Sequence, residues 1–330
     1  MDLEELTQHL SSKKSKFLIF LLGLSVFGIA LLGSSESFTY SKVSNNLTNY
    51  TVTSGKSFNS IFNEFSLNPV EIVLLKIFLK RNSLNTVQAG HYDLKNKSWR
   101  DFLLSIANGD VVIFKLNIPA GKSLYEIKKI ISDSRLNNDC DDFECLDDRF
   151  KFLEGTLKPD TYFYKDLSSA ANILKKSQNE FFKLASTLWS NKNTVLPLKN
   201  LTEAIILASI VEKEAGNDLE KPIIAGVFLH RISIGMKLQA DPTIIYGLLP
   251  DFDGNITKAN LKDKNNPYNT YQISGLPPTP ISTISKSSLE AVILGMRNDY
   301  LYFVAKGDGT HKFSKTYNEH LEAVKKYQLK

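Results

Sequence analysis

The sequence predicts an α+β protein held outside a membrane by one N-terminal helix, and three observations carry that reading. Phe17 to Gly33 runs without a charge over a length that spans a bilayer as a helix. Helical periods and short strand-like runs are then mixed along the rest of the chain. The 330 residues, 42% hydrophobic and 23% charged, describe a globular protein with room for more than one domain.

Lys13, Lys14 and Lys16 precede the apolar run and Glu36 follows it. The positive-inside rule therefore makes residues 1–16 a cytoplasmic tail and 17–33 a transmembrane helix, with the bulk of the chain outside. A cleavable signal peptide is the competing reading, for which Ser34-Ser35-Glu36-Ser37 gives a weak cleavage pattern. Residues 34–49, rich in Ser and Asn, read as a linker. The net charge of +5, without an Arg-rich run, gives no ground for nucleic acid and suits an anionic wall polymer or a membrane surface.

A local repeat follows. Val52 to Ile61 (VTSGKSFNSI) is echoed by Ile118 to Ile127 (IPAGKSLYEI), each a strand end, a Gly turn, a Ser cap and a helix start. Neither copy has the glycine five residues before Gly55 or Gly121 that a phosphate loop requires, so a nucleotide site is rejected. Helices at Ser57 to Phe65 and Pro69 to Lys80, then strand character at Ala89 to Tyr92, give strand, helix, helix, strand over residues 50–117. That order resembles a LysM-like glycan-binding module; a structural spacer is the plain alternative. Ser98 to Asn108 reads as a helix, Val111 to Ile118 as a strand and Ser123 to Ser134 as the helix of the second copy. Residues 118–153 form a repeat-like connecting segment. Cys140 and Cys145, the only cysteines, sit among Asp139, Asp141, Asp142 and Glu144 and form either a local disulfide or a free pair. None of the five histidines makes a zinc-type spacing with them, so no metal is expected.

Residues 154–330 carry the chemistry. A long helix at Leu167 to Ser190 leads to Asn200–Gly216, NLTEAIILASIVEKEAG. Asn200 caps this helix with Glu203 completing a capping box, and Gly216 suits a left-handed terminator. Ala204, Leu207, Ala208, Val211 and Ala215 share one face, and Glu214 falls inside that apolar arc. Desolvation there raises a carboxyl pKa, which general-acid catalysis requires. Glu212 lies on the other flank, as a partner of the site or an ordinary exposed glutamate; a solvated face is the plain reading of Glu-Lys-Glu at a helix end. Loops bearing Gln239, Asp241, Asn269 and Tyr271, stiffened by Pro242, Pro267 and Pro277-Pro278, offer hydrogen-bond groups beside flat rings, as sugars need. Asp241-Pro242 also reads as an ordinary turn, and Tyr246 and Tyr302 as core. Tyr300 to Ala305 reads as a buried strand, Gly309 to Phe313 as a turn into another, and Glu319 to Lys330 as a closing helix.

Six motifs then occur in order: Ala208 to Glu214 (ASIVEKE), Leu238 to Thr243 (LQADPT), Tyr268 to Tyr271 (YNTY), Gly275 to Pro278 (GLPP), Leu301 to Ala305 (LYFVA) and His311 to Phe313 (HKF). Together they resemble the YceG-like family of endolytic murein transglycosylases over the whole exported part. His230 before Arg231, Thr279 after the Pro pair and Thr283-Ile284 depart from the family pattern.

The resemblance implies a mixed α+β catalytic domain after the LysM-like module, with the second glutamate of the Glu-Lys-Glu run, Glu214, as the catalytic residue. It implies that Glu212, Gln239, Asp241, Asn269 and Tyr271 hold the glycan, and that no cofactor is used. The expected partners are peptidoglycan strands, peptidoglycan synthases of the penicillin-binding class and membrane lipid around the one helix. The expected place is the inner membrane, single-pass, with the N-terminus cytoplasmic. Two rival functions stand beside it: a water-using muramidase, for which Glu212 or Asp241 supplies the second carboxylate, and a wall-binding scaffold without catalysis.

Overall fold

The computed structural model describes residues 3–44, 46–296 and 298–328, with side chains from Ser15 onward. Of the expected tail, Met1 and Asp2 lie outside the described residues, as do the side chains of Lys13 and Lys14 and, at the other end of the chain, Leu329 and Lys330. The chain divides into two compact units, residues 1–114 and 115–330. The segment 118–153 thus belongs with the second unit.

The first unit opens with α1 (Leu3–Thr39). An 18-residue window within its Ser15–Thr39 portion has a mean hydropathy of 2.4 and is not covered by protein, the length and composition of a membrane-crossing helix. After α1 come β1 (Asn49–Val52), α2 (Phe58–Glu64), α3 (Pro69–Arg81), β2 (Gly90–Asp93) and α4 (Trp99–Asn108). β1 and β2 pair antiparallel, from Asn49 opposite Asp93 to Val52 opposite Gly90. Short polar signals fix the helix starts. Asn68 and Glu71 form a capping box on α3 with Pro69 in its first turn, and Ser98 and Asp101 do the same for α4.

The expected linker 34–49 is helical as far as Thr39 and docked on the unit. Ser35 is buried with its hydroxyl on the Leu74 carbonyl at 2.7 Å, and the Thr39 hydroxyl bonds the Glu36 carbonyl at 2.7 Å. Glu36 pairs with Arg100 at 2.5 Å. The small polar residues that resemble a flexible linker are those whose hydroxyls find carbonyls within or between helices, so composition alone misleads. An aromatic core sits behind. Trp99 is 2% exposed and meets Phe62, Phe65 and Phe102 at ring distances of 6.1, 5.2 and 6.0 Å.

β3 (Ile113–Ile118), whose last four residues open the second unit, pairs with β4 (Asp160–Lys165), with α5 (Leu124–Ser132) and the turn closed by the bonded sulfurs of Cys140 and Cys145 between them in sequence. The local repeat is visible as structure: Gly55 (φ 84°) and Gly121 (φ 74°) turn the chain left-handed, and Ser57 and Ser123 cap α2 and α5. Then follow α6 (Ala170–Ser190), α7 (Leu201–Glu214), α8 (Lys221–Ser233), α9 (Asp241–Gly247), α10 (Lys258–Lys262), α11 (Lys286–Leu294), the antiparallel hairpin β5 (Tyr302–Ala305) and β6 (His311–Ser314), and α12 (Tyr317–Tyr327).

α7 is the axis of this unit. Every residue from Ala204 to Val211 is buried, because α6, α8, α9 and α11 all pack on it. The expected one-sided apolar face is therefore a helix apolar all round, as a fully enclosed core helix must be. Its start differs in detail too. Asn200 accepts from the Glu203 amide at 2.9 Å, but the Glu203 carboxylate reaches back to the amide of Lys199 at 2.7 Å instead of closing the box on Asn200.

The ring cluster of the first unit makes a direct forecast. Replacing Trp99 by Ala should cost about 3–5 kcal/mol of unfolding free energy, the usual range for emptying a buried aromatic site, measured by denaturant unfolding. A loss under about 1 kcal/mol, the size of a surface change, would show that the cluster is not the core.

Candidate active site

α7 carries its last residue, Glu214, out of the core and onto a cleft of about 470 Å³. The helix stops because Ala215 is extended (φ −78°, ψ 124°). Gly216, expected as a left-handed terminator, does not adopt a positive φ. Its glycine is required by close approach, since a Cβ there would lie 2.6 Å from the Gly309 carbonyl oxygen.

Around Glu214 the cleft gathers Arg231 from α8, Gln239 and Asp241 from the start of α9, Tyr271 from the following loop and Tyr302 from β5. The Glu214 residue surface is half-buried because the cleft is open, but its carboxyl is closely packed by protein. Desolvation, and next the negative charge of Asp241, push its pKa up to about 8 against the opposing pull of Arg231. Among the described residues no protein group hydrogen-bonds that carboxyl. The arrangement is a protonated acid at neutral pH, free to give its proton to a bound molecule.

The other groups are held in place. Gln239 is left-handed (φ 51°) and its amide donates to the Thr270 carbonyl at 3.2 Å, while the Ala240 amide donates to the Thr270 hydroxyl at 2.9 Å. These bonds join the Asp241 loop to the Tyr271 loop, and the Tyr271 hydroxyl donates to Asp241 Oδ1 at 2.7 Å. Burial, then that hydrogen bond, raises the phenol pKa, so Tyr271 remains a donor. Arg231 is buried, with Nε donating to the Leu301 carbonyl at 2.7 Å and Nη1 to that of Leu238.

Of the expected site residues, Glu214, Gln239, Asp241 and Tyr271 come together and two do not. Glu212 accepts from the Ser285 amide at 3.0 Å, the Ser288 hydroxyl at 2.6 Å and the Lys221 ammonium at 3.4 Å. Lys221, itself buried, also holds Asp218 at 2.6 Å. The plain reading of Glu212 as an exposed glutamate fails because α11 closes over that flank of α7. Asn269 is fully buried and donates to the carbonyls of Asn260 and Asp263 at 3.0 and 2.8 Å, while its Oδ1 accepts from the Tyr271 amide at 3.1 Å. It shapes the loop that presents Tyr271.

Tyr302, expected in the core, lines the cleft, as do His311 and His320, which sequence patterns did not single out as site residues. His311 Nδ1 is held by Glu220 at 2.8 Å. Tyr246 lies elsewhere, donating to Glu154 at 3.0 Å. Glu154 also accepts from the Leu124 and Gly155 amides, and burial pushes its pKa up to about 7. Among the described residues no cluster fit to hold a metal ion occurs.

Comparison with known proteins gives a consistent result. The YceG-like family model matches residues 50–326. The chain is 30% identical to the endolytic murein transglycosylase of Bacillus subtilis (strain 168), over 92% of this chain and 91% of that protein. It is 28% identical to the endolytic murein transglycosylase of Streptococcus pneumoniae (strain D39), over 71% of this chain and 49% of that protein. A crystal structure of a YceG-like protein from Listeria monocytogenes superposes with a TM-score of 0.55 at 28% identity, covering 83% of this chain and 97% of that one.

Two measurements test the geometry. A carboxyl NMR titration should place Glu214 at about 8, and Asp241→Asn should lower that value by removing a like charge; a value in the ordinary carboxylate range would contradict the desolvated site. Glu212→Ala should cost about 1–3 kcal/mol in thermal or denaturant unfolding, because it leaves the Ser285 amide and the Ser288 hydroxyl without their acceptor, while Lys221 keeps Asp218. Near-neutral stability would mean that Glu212 is not a structural anchor.

Proposed function

The chain belongs to the YceG-like family, and from that membership we propose that it acts as a murein transglycosylase in which Glu214 is the single acid–base group. The observation that carries the proposal is a carboxyl kept protonated to about pH 8 at the base of an open cleft.

Protonated Glu214 donates to the glycosidic oxygen as the bond from that oxygen to C1 of the muramic acid breaks. The carboxylate so formed removes the proton from the same sugar's O6 hydroxyl as O6 bonds to C1. The product is a 1,6-anhydro end, Glu214 regains its proton, and no water is consumed. Asp241, which lines the same cleft, stabilises the positive charge that develops at C1. Gln239 and Tyr271 hold the sugars. No cofactor enters this scheme.

The finer reading has the enzyme cutting the β-1,4 bond between N-acetylmuramic acid and N-acetylglucosamine within nascent strands, so ending their elongation beside penicillin-binding synthases. α1 anchors it as a single-pass inner-membrane protein with the N-terminus inside; the hydropathy of Ser15–Thr39 supports this. The order β1, α2, α3, β2 with its antiparallel strand pair supports a LysM-like glycan-binding role for the first unit. A water-using muramidase is the second reading, favoured by the electrostatic proximity of Asp241 to Glu214; Glu212, engaged with Lys221 and Ser285, is not placed to serve it.

Glu214→Gln preserves shape and removes the transferable proton. Strand cleavage should fall by at least about 10²- to 10⁴-fold, the usual value of general acid–base help, while the thermal melt and glycan binding stay near wild type. For the wild-type enzyme the rate should fall as pH rises through about 8, where Glu214 loses its proton. Retained cleavage in the Gln variant would refute the role given to Glu214, whereas a wild-type protein that binds strands and cuts none would leave a wall-binding scaffold.

A further inference from the structure

One cleft residue has no part in the acid–base steps. The His320 ring, on α12, stacks on Tyr302 at a centroid distance of 5.2 Å and an interplanar angle of 22°. The guanidinium of Arg231 lies 5.6 Å from the same Tyr302 ring. His320 Nδ1 is buried and has no hydrogen-bond partner among the described residues. Nε2 is not enclosed in that way, and the residue lines the cleft, which leaves Nε2 as the ring nitrogen available to a bound molecule.

Burial, then the charge of Arg231, hold the imidazole pKa below its ordinary value, so the ring is neutral and carries one N–H at neutral pH. A proton on Nδ1 would be a stranded buried donor, which costs free energy. On Nε2 it reaches the cleft. Of the other donors there, the Tyr271 hydroxyl is engaged with Asp241, and Arg231 Nε and Nη1 with the carbonyls of Leu301 and Leu238, which leaves His320 beside Gln239 and Tyr302 among the lining groups able to donate to a sugar. Sugar hydroxyls find an acceptor in Asp241, but an acetamido carbonyl only accepts and requires a donor.

We propose that His320 Nε2–H donates a hydrogen bond to the acetamido carbonyl of a sugar in the cleft, making His320 a substrate-binding residue that selects N-acetylated strands. The proposal rests on the reading of this cleft as a glycan site. It gives α12 a function at the cleft as well as a place in the fold, since Tyr317 and Val324 of the same helix also line the site.

The test compares wild type, His320→Phe and His320→Gln on matched N-acetylated and N-deacetylated glycan strands. Phe keeps the stack on Tyr302 and removes the N–H; Gln restores an amide donor. His320→Phe should raise KM on N-acetylated strands about 3- to 10-fold, the worth of one neutral hydrogen bond, with kcat little changed and KM on N-deacetylated strands unaltered. His320→Gln should recover part of the loss. Binding of both strands to the Glu214→Gln protein, with and without His320→Phe, should show the same selectivity without turnover. Equal KM effects on the two strands, no effect, or a lowered melting temperature with unchanged selectivity would overturn the proposal. A wild-type protein that neither binds nor cuts either strand would instead refute the glycan reading beneath it.

Discussion

The site depends on the desolvation of one carboxyl. α7 is enclosed on all sides from Ala204 to Val211, and that enclosure ends one turn before the cleft, so Glu214 leaves the helix with its carboxyl closely packed by protein at the floor of an open cleft. Ionising it there is unfavourable, more so because Asp241 is near. A glutamate on an exposed helix end would be a carboxylate at pH 7 with no proton to give. The reactivity assigned to Glu214 is thus a property of the packing around α7 rather than of a special partner.

The packing in turn needs fixed ends. Glu212, two residues before Glu214, ties the end of α7 to the start of α11 through Ser285 and Ser288 and to the start of α8 through Lys221. Ser209, one turn earlier, accepts from the Ile281 amide at 3.0 Å and brings the loop before α11 onto the helix. On the opposite wall, Thr270 and Asn269 join the loops that present Asp241 and Tyr271. Residues that do not face the cleft therefore set the geometry of those that do, and buried hydrogen-bonded networks of this kind hold a site in one arrangement.

Much of this was legible in the sequence, and the failures have a common cause. Caps, turns and helix starts follow from local chemistry, so α2 to α5 and the repeated Gly-Lys-Ser turn lie close to where pattern places them. The position of Glu214 at the end of α7 was legible from the cap and length of the helix, but the one-sided apolar arc expected around it was not, because α7 is enclosed on every side. Glu212 was not, because its role depends on Ser285 and Ser288 more than seventy residues away, which periodicity does not see. Gly216 answers to the backbone of Gly309 rather than to its own φ. Tyr302 and His320 enter the cleft through the folding back of the C-terminal hairpin and helix, and a run such as Tyr-Leu-Tyr-Phe-Val-Ala reads as core whichever side faces the substrate. Ser35 and Thr39 read as linker until α3 is known to lie against α1.

The central claim is that one carboxyl performs both proton transfers and that the attacking oxygen is the sugar's own. Digestion of purified glycan strands in water enriched in heavy oxygen, followed by mass analysis of the new ends, tests it most directly. The account predicts 1,6-anhydro ends, lighter by one water than reducing ends and free of heavy oxygen. Reducing ends carrying the label would contradict it and make the enzyme a hydrolase with Asp241 as its second carboxylate.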